Sequence, residues 1–194
     1  MLRNKQPAQI NFGVDIDEGV VAKWSPLASS TLQIVHARAE SFLETFVFRG
    51  DEVVYCDPPY HPATRRRRRV YRHDYTAEDH ERLATILARL PCKVVLSGYA
   101  NPVYESVLRN WSTCSYPAKT HRGVVTETLW FNFEPPQKLH DARFLGVDFR
   151  DRQTRRRRMR RLQQRIRRMD PIERAAFVDW LHQEYPPNAR AAFT

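Results

Sequence analysis

Cysteine and glycine are both scarce in this chain of 194 residues, which has three cysteines and six glycines. Cys56, Cys92 and Cys114 are widely spaced and odd in number, so we expect reduced thiols, no disulfide framework and no metal. No apolar run is long enough to span a membrane, and no apolar segment follows the first five residues as in a secretory signal. These absences predict a cytoplasmic protein.

Acidic residues are absent from two strongly basic segments. Arg65 to Arg69 together with Arg72 supply six positive charges, and the stretch 155–168 supplies nine. Removing these fifteen charges from the net charge of +10 leaves −5 for the rest of the chain. The sequence therefore predicts a polyanionic partner that meets two particular segments.

Apolar periodicity predicts an α/β fold in which strands alternate with helices. The strands are predicted at 10–17, 32–35, 53–56, 93–97 and 123–133, and the helices at 20–24, 39–44, 76–90, 101–111 and 155–169, with one more that begins at Asp170. This alternation favours a mainly parallel sheet with helices on both faces. Two prolines at 135–136 divide a domain at 1–136 from a basic helical extension at 137–194.

The segment Asp57-Pro58-Pro59-Tyr60 directly follows the predicted strand 53–56. Its two prolines exclude a helix and fix an extended turn. A carboxylate and an aromatic ring are thereby held at the carboxyl end of a strand, where open α/β sheets place ligands. The alternative is a proline-rich turn with an incidental acid.

A second pair of acids, Asp15 and Asp17, ends the first predicted strand. Doubly wound folds often grip ribose hydroxyls with an acid in this position. A terminal Asp that caps the following helix is at least as common. The pattern leaves both readings open.

The order of these pieces resembles the N6-adenine-specific DNA methyltransferases of the DNA adenine methylase family. The stretches that carry the resemblance are Gly13 to Asp17, Asp57 to Tyr60, Val95 to Tyr99 and Arg122 to Asn132. The resemblance covers about residues 10–134. It implies the Rossmann-like sheet of methyltransferases that use S-adenosylmethionine, and double-stranded DNA with an adenine-containing site as the partner.

The resemblance also implies roles for the proline-containing segment. Asp57 and the carbonyl of Pro58 would accept hydrogen bonds from the exocyclic amine of a flipped adenine, Tyr60 would stack on the base, and Pro59 completes the catalytic segment. For the cofactor, the resemblance implies Asp15 at the ribose and Ile16 at the adenine ring. It adds the residues Arg38, Cys56 and Asp57. Arg38 stands where many relatives have an acid, and Glu40 is the substitute.

Two departures from the family pattern shape the remaining expectations. The family's first strand and Gly-rich cofactor loop should precede Gly13, yet only twelve residues do and none is a glycine. We therefore expect a domain that is incomplete at its N-terminus and binds the cofactor weakly. The interval between Leu43 and Val53 is also too short for a target-recognition segment, so DNA contact is assigned to the first arginine run, Arg65, Arg66, Arg67, Arg68, Arg69 and Arg72.

Other readings remain open at this point. The arginine runs could be a solvated loop and a solvated helix. The same chemistry could act on adenine in RNA, or the chain could be an inactive remnant that only binds nucleic acid. The expected source is a bacterium or a phage, and the sequence predicts neither the recognition site nor the oligomeric state.

Overall fold

A computed structural model describes residues 8–64, 72–120, 123–135, 139 and 141–186. The chain forms two compact units, Met1–Glu134 and Pro135–Thr194. The strands of the first unit are β1 (Asn11–Asp15), β2 (Leu32–His36), β3 (Val53–Cys56), β4 (Lys93–Gly98), β5 (Ser112–Thr120) and β6 (Gly123–Phe131). Its helices are α1 (Glu18–Trp24), α2 (Ala39–Thr45), α3 (Ala77–Arg89) and α4 (Pro102–Val107).

The strands of the described residues form two sheets. β1 and β2 pair in parallel, and a four-stranded sheet has the order β3-β4-β6-β5. In the larger sheet only β3 and β4 are parallel, whereas β6 runs antiparallel to both of its neighbours. The α/β class is confirmed, but the expected mainly parallel sheet is wrong, because the chain returns after α4 as an antiparallel pair of strands.

The strand β5 has no counterpart in the sequence prediction. Pro117 lies in its middle and cannot donate a hydrogen bond, which argues against a strand when the sequence is read alone. In the structure β5 is at the edge of the sheet, where Pro117 lies opposite Thr126. An edge strand tolerates proline because one side of its backbone needs no partner in the ladder.

Helices α3 and α4 begin where their capping residues predict. Thr76 accepts a hydrogen bond from the Asp79 amide while the Asp79 carboxylate accepts one from the Thr76 amide, which completes a capping box. At α4 the Asn101 side chain accepts from the Tyr104 amide, and Pro102 occupies the first turn. The starts of both helices were predicted correctly because the capping signals are local.

The core of the first unit lies between α3, α4 and the larger sheet. α3 contributes Leu83, Ala84 and Leu87, which are almost completely buried. They join the buried residues Leu43, Cys92, Val94, Leu96, Tyr104, Leu108 and Trp130 in one cluster. The Asn132 side chain accepts from the Val94 amide and donates to the Cys92 carbonyl, so it ties the end of β6 to the start of β4.

The second unit contains helices α5 (Phe149–Arg167) and α6 (Pro171–Glu184). α5 starts six residues earlier than predicted, because the Asp148 side chain accepts from the Asp151 amide and caps it there. α6 begins as predicted, with Asp170 as its cap and Pro171 in its first turn. None of the helices in the described part of the chain is long and apolar enough to cross a membrane.

We expect Leu87→Ala to destabilise the first unit by about 2–5 kcal/mol, because Leu87 is completely buried and the truncation leaves a cavity. Glu81→Ala on the exposed side of the same helix is the matched control and should change stability by less than about 0.5 kcal/mol. Urea unfolding followed by tryptophan fluorescence measures both. Equal midpoints for the two variants would contradict this description of the core.

Candidate active site

The segment Asp57 to Tyr60 begins where β3 ends. Gly50, with a φ of 101°, makes the turn that leads into β3, and the Glu52 carboxylate accepts from the amides of Arg49 and Gly50. β3 runs parallel to β4, with Cys56 opposite Leu96. The residues that follow the two strands therefore leave the sheet at the same edge.

Tyr60 is held from two directions. Its ring stacks on that of Tyr99, the residue after β4, with 4.1 Å between the ring centroids and 13° between the planes. Its hydroxyl donates to Glu127 Oε1 over 3.1 Å. The Tyr116 hydroxyl donates to the other oxygen of the same carboxylate over 2.8 Å. One carboxylate thus joins the loop after β3 to β5 and β6.

The antiparallel register explains how Glu127 reaches Tyr60. Thr128 on β6 lies opposite Gly98 at the end of β4, and Glu127 lies opposite Tyr116 on β5. Glu127 is therefore located beside the carboxyl end of β4, where Tyr99 and Tyr60 meet. Burial raises the pKa of Tyr60, and the hydrogen bonds to Tyr99 and Glu127 add to that rise, so its hydroxyl stays protonated as a donor.

Asp57 remains accessible to solvent while its carboxyl group is partly desolvated by its neighbours. This desolvation raises the pKa of Asp57, and the negative charge of nearby Glu127 raises it further. An accessible carboxylate with few competing partners is a strong acceptor for an N–H donor that binds beside it. The site therefore combines such an acceptor with a fixed aromatic face.

A second cluster contains Cys56 at the end of β3, Arg38 and Glu40 at the start of α2, and Tyr75. An Arg38 amino group donates to Asp79 Oδ1 at 2.9 Å and to Glu40 Oε1 at 3.4 Å, and its guanidinium lies 5.8 Å from the Tyr75 ring centre. Burial, followed by the negative charges of Glu40 and Asp57, raises the pKa of Cys56 to about 12. The Cys56 thiol is therefore neutral.

Glu40 is the most unusual member of that cluster because its charged group is almost completely buried, with 1% of the residue exposed. Its carboxylate contacts Arg38 through Oε1 and also interacts with the Tyr75 hydroxyl. Its Oε2 accepts no hydrogen bond from the residues that the structure describes. A buried acceptor without a partner is costly. A ligand amine or hydroxyl would remove that cost.

Asp15 and Ile16 lie at the end of β1 and have local partners. The Asp15 carboxylate accepts from the Asp17 amide over 2.8 Å, and the Ile16 carbonyl is 2.9 Å from His36 Nε2. Asp17 caps α1 by accepting from the amides of Gly19 and Val20, so for Asp17 the capping reading is correct. These contacts do not involve the segment Asp57 to Tyr60.

The first arginine run falls mostly outside the described residues. Arg65, Arg66, Arg67, Arg68 and Arg69 all lie there, and only Arg72 is described. Arg72 has an exposed side chain that approaches the Asp17 carboxylate at 4.0 Å. Such an exposed pair contributes little to stability and leaves the guanidinium accessible.

Sequence reasoning alone missed the contributions of Tyr99, Tyr116 and Glu127 to the site. The one available signal was a charged side chain within the otherwise largely apolar stretch 123–133. The partners of Glu127, Tyr60 and Tyr116, are 67 and 11 residues away from it in the sequence, and both contacts depend on the strand register.

Residues 22–121 match the model of the D12 class N6 adenine-specific DNA methyltransferases, and this span is just over half of the chain. The chain belongs to this family. No curated protein matches the sequence. The matched span contains β2 to β5 and the whole segment Asp57 to Tyr60, whereas Glu127 lies six residues beyond it.

Family membership confirms the resemblance drawn from the sequence. Adenine methylation in DNA is the activity of the family as a whole.

We expect Glu127→Gln to lower the pKa of Asp57, because the substitution removes the negative charge that disfavours ionisation of its carboxyl group. Nuclear magnetic resonance of carboxyl-labelled protein would follow the Asp57 titration directly. Glu105→Gln, which removes an exposed acid on α4, is the control and should leave the titration unchanged. An Asp57 pKa that is the same in all three proteins would show that Glu127 does not act on it.

Proposed function

We propose that this chain transfers a methyl group from S-adenosylmethionine to the exocyclic N6 amine of adenine in double-stranded DNA. The observation that carries the proposal is the arrangement around Tyr60. An accessible carboxylate, Asp57, is three residues from an aromatic ring that both Tyr99 and Glu127 hold in place. This arrangement lies within the family-matched span except for Glu127.

Asp57 and the Pro58 carbonyl act on the target amine. The lone pair of an aromatic amine is delocalised into its ring, so the amine is a poor nucleophile. Two acceptors, one for each N–H, favour the geometry in which that lone pair is localised on nitrogen and would point at the methyl group of the donor. The contribution of these groups is mainly orientation. As the N–CH₃ bond formed, the S–CH₃ bond of the donor would break and leave S-adenosylhomocysteine. The Asp57 carboxylate would stabilise the positive charge on the amine until its proton passes to water.

Tyr60 provides the surface on which the base stacks after it leaves the duplex. One face of its ring is covered by Tyr99, so the other face is the one that a base would use. The hydrogen bond from the Tyr60 hydroxyl to Glu127 restrains the ring in its position against Tyr99. Stacking on a ring that is already fixed loses less conformational entropy than stacking on a mobile one.

The methyl donor brings an electrophilic methyl group on a positively charged sulfonium. One buried Glu40 oxygen accepts no hydrogen bond from the residues that the structure describes, and a ligand amine or hydroxyl would fit there. This supports a cofactor site beside Glu40. Arg38 would hold Glu40 in position through their contact. Cys56 would supply a neutral wall, Asp57 would border the site, and Asp15 and Ile16 would contribute from the end of β1.

The remaining requirement is contact with the DNA backbone, which we assign to Arg65, Arg66, Arg67, Arg68, Arg69 and Arg72. These arginines follow Tyr60 closely in the chain. Arg72 has an accessible guanidinium, which fits phosphate oxygens. Contacts of this kind set the position of the protein on the duplex and carry no sequence information.

Asp57→Ala should reduce methyl transfer by at least about 100-fold while leaving duplex binding within about threefold, because the carboxylate orients the amine and does not hold the backbone. Asp57→Asn keeps the shape and one acceptor oxygen, so it should retain more activity than Asp57→Ala. The assay is methyl incorporation from labelled cofactor into an adenine-containing duplex.

The control for that assay is Asp51→Ala, which removes an exposed acid before β3 and should leave the rate unchanged. Wild-type rates in Asp57→Ala would refute the role of the carboxylate.

Replacing Arg65 to Arg69 by Gln should weaken binding to all duplex sequences about equally. It should also flatten the log–log dependence of affinity on salt by about 0.9 for each phosphate contact that is lost. Titrations at several salt concentrations measure both quantities. An unchanged slope with reduced discrimination between sequences would show instead that these arginines read bases.

A further inference from the structure

Helix α5, together with Arg168, the residue that caps its end, carries a continuous arginine surface that has no role in the proposed methyltransferase site. Eight arginines lie between positions 156 and 168, and all of them are exposed. At 3.6 residues per turn they cover roughly 200° of the helix circumference. Met159, Leu162, Ile166 and Met169 occupy a narrow stripe of about 80° on the opposite side. We call the eight arginines the α5 arginine face.

None of these arginines forms an ion pair with any acid in the described part of the chain. α5 contains one acid, Asp151, whose carboxylate binds Arg155 Nε at 2.8 and 2.9 Å. No other ion pair involves α5 among the residues that the structure describes, so the N–H donors of the arginines from 156 to 168 are not committed to a described acid. Positions such as 157, 161 and 165 are four residues apart, where like charges repel each other along a helix. A polyanion would relieve that repulsion.

We propose that the α5 arginine face binds the phosphate backbone of double-stranded DNA independently of base sequence, as an interface additional to the adenine pocket. A helix of nineteen residues is about 28 Å long, which exceeds the width of the major groove, about 12 Å. Arginines on more than half of its circumference can reach phosphates on both walls of a groove. Duplex DNA offers a phosphate charge about every 1.7 Å.

The same geometry disfavours an anionic membrane surface as the partner. A helix that lies on a membrane needs a broad apolar face with Trp, Phe or Leu. Here the apolar stripe is narrow, and no aromatic residue occurs between 155 and 168. The choice of DNA as the polyanion rests on the family to which the chain belongs.

The test uses the full chain and a duplex made only of G·C pairs, which offers no adenine to the pocket. The variant replaces Arg157, Arg161, Arg165 and Arg168 by Gln, a residue that forms helices as well as Arg does. The control variant replaces Lys23, Arg49, Arg89 and Arg109, four exposed cations of the first unit, by Gln, so the net charge falls equally. Fluorescence anisotropy gives the Kd over a series of salt concentrations.

We expect the α5 variant to bind at least about tenfold more weakly than wild type at low salt, with a salt slope that falls by about 0.9 for each lost contact. The control variant should stay within about threefold of wild type. Equal losses in both variants would show an effect of net charge alone and would overturn the proposal, as would no loss in either.

Two further arms complete the design. Vesicles of phosphatidylserine and phosphatidylcholine test the lipid alternative, and binding to them as tight as to the duplex, with the same loss in the α5 variant, would overturn DNA as the partner. A methylation assay with an adenine-containing duplex separates this inference from the proposed function. A wild-type chain that binds G·C duplex through α5 but methylates nothing would support the interface and contradict the enzyme.

Discussion

The candidate site depends on one carboxylate, that of Glu127, which accepts hydrogen bonds from two tyrosines on different segments. Through Tyr60 it fixes the loop after β3, and through Tyr116 it ties the edge strand β5 to β6. Its charge also acts on Asp57, whose pKa it helps to raise. A single group therefore links the position of the aromatic face to the protonation of the acceptor beside it.

This linkage requires the antiparallel return of the chain after α4. In the antiparallel register Thr128 pairs with Gly98, so Glu127, the residue before Thr128, lies at the level of Tyr99, the residue after Gly98. The pairing of Thr128 with Gly98 sets the alignment, and Asn132 secures it by bonding the backbone at the start of β4. The buried cluster of α3, α4 and β4 supplies the rigid support against which this alignment is maintained.

The sequence predicted well the features whose causes are local. Thr76, Asn101 and Asp170 act through neighbouring amides, so the starts of α3, α4 and α6 could be read directly. The strand β3 and the turn at Asp57 were likewise predicted, because two prolines leave few backbone conformations. Membership of the methyltransferase family followed from these short motifs and their order.

The features that the sequence did not predict depend on long-range pairing. β5 was hidden by Pro117, which only an edge position makes acceptable. The mixed sheet could not be inferred from alternating strands and helices, because periodicity does not report strand direction. Glu127 acquires its role only when β6 aligns with β4 and β5. Arg38 was assigned to the cofactor on resemblance, and the structure adds its contact with the buried carboxylate of Glu40.

The most direct test of the account is the chemical identity of the product. Duplex DNA would be incubated with the full chain and isotope-labelled S-adenosylmethionine, digested to nucleosides and analysed by mass spectrometry. The account predicts that the label appears in N6-methyldeoxyadenosine. Label found only in methylated cytosine, or no labelled nucleoside from a folded chain at saturating cofactor, would contradict it.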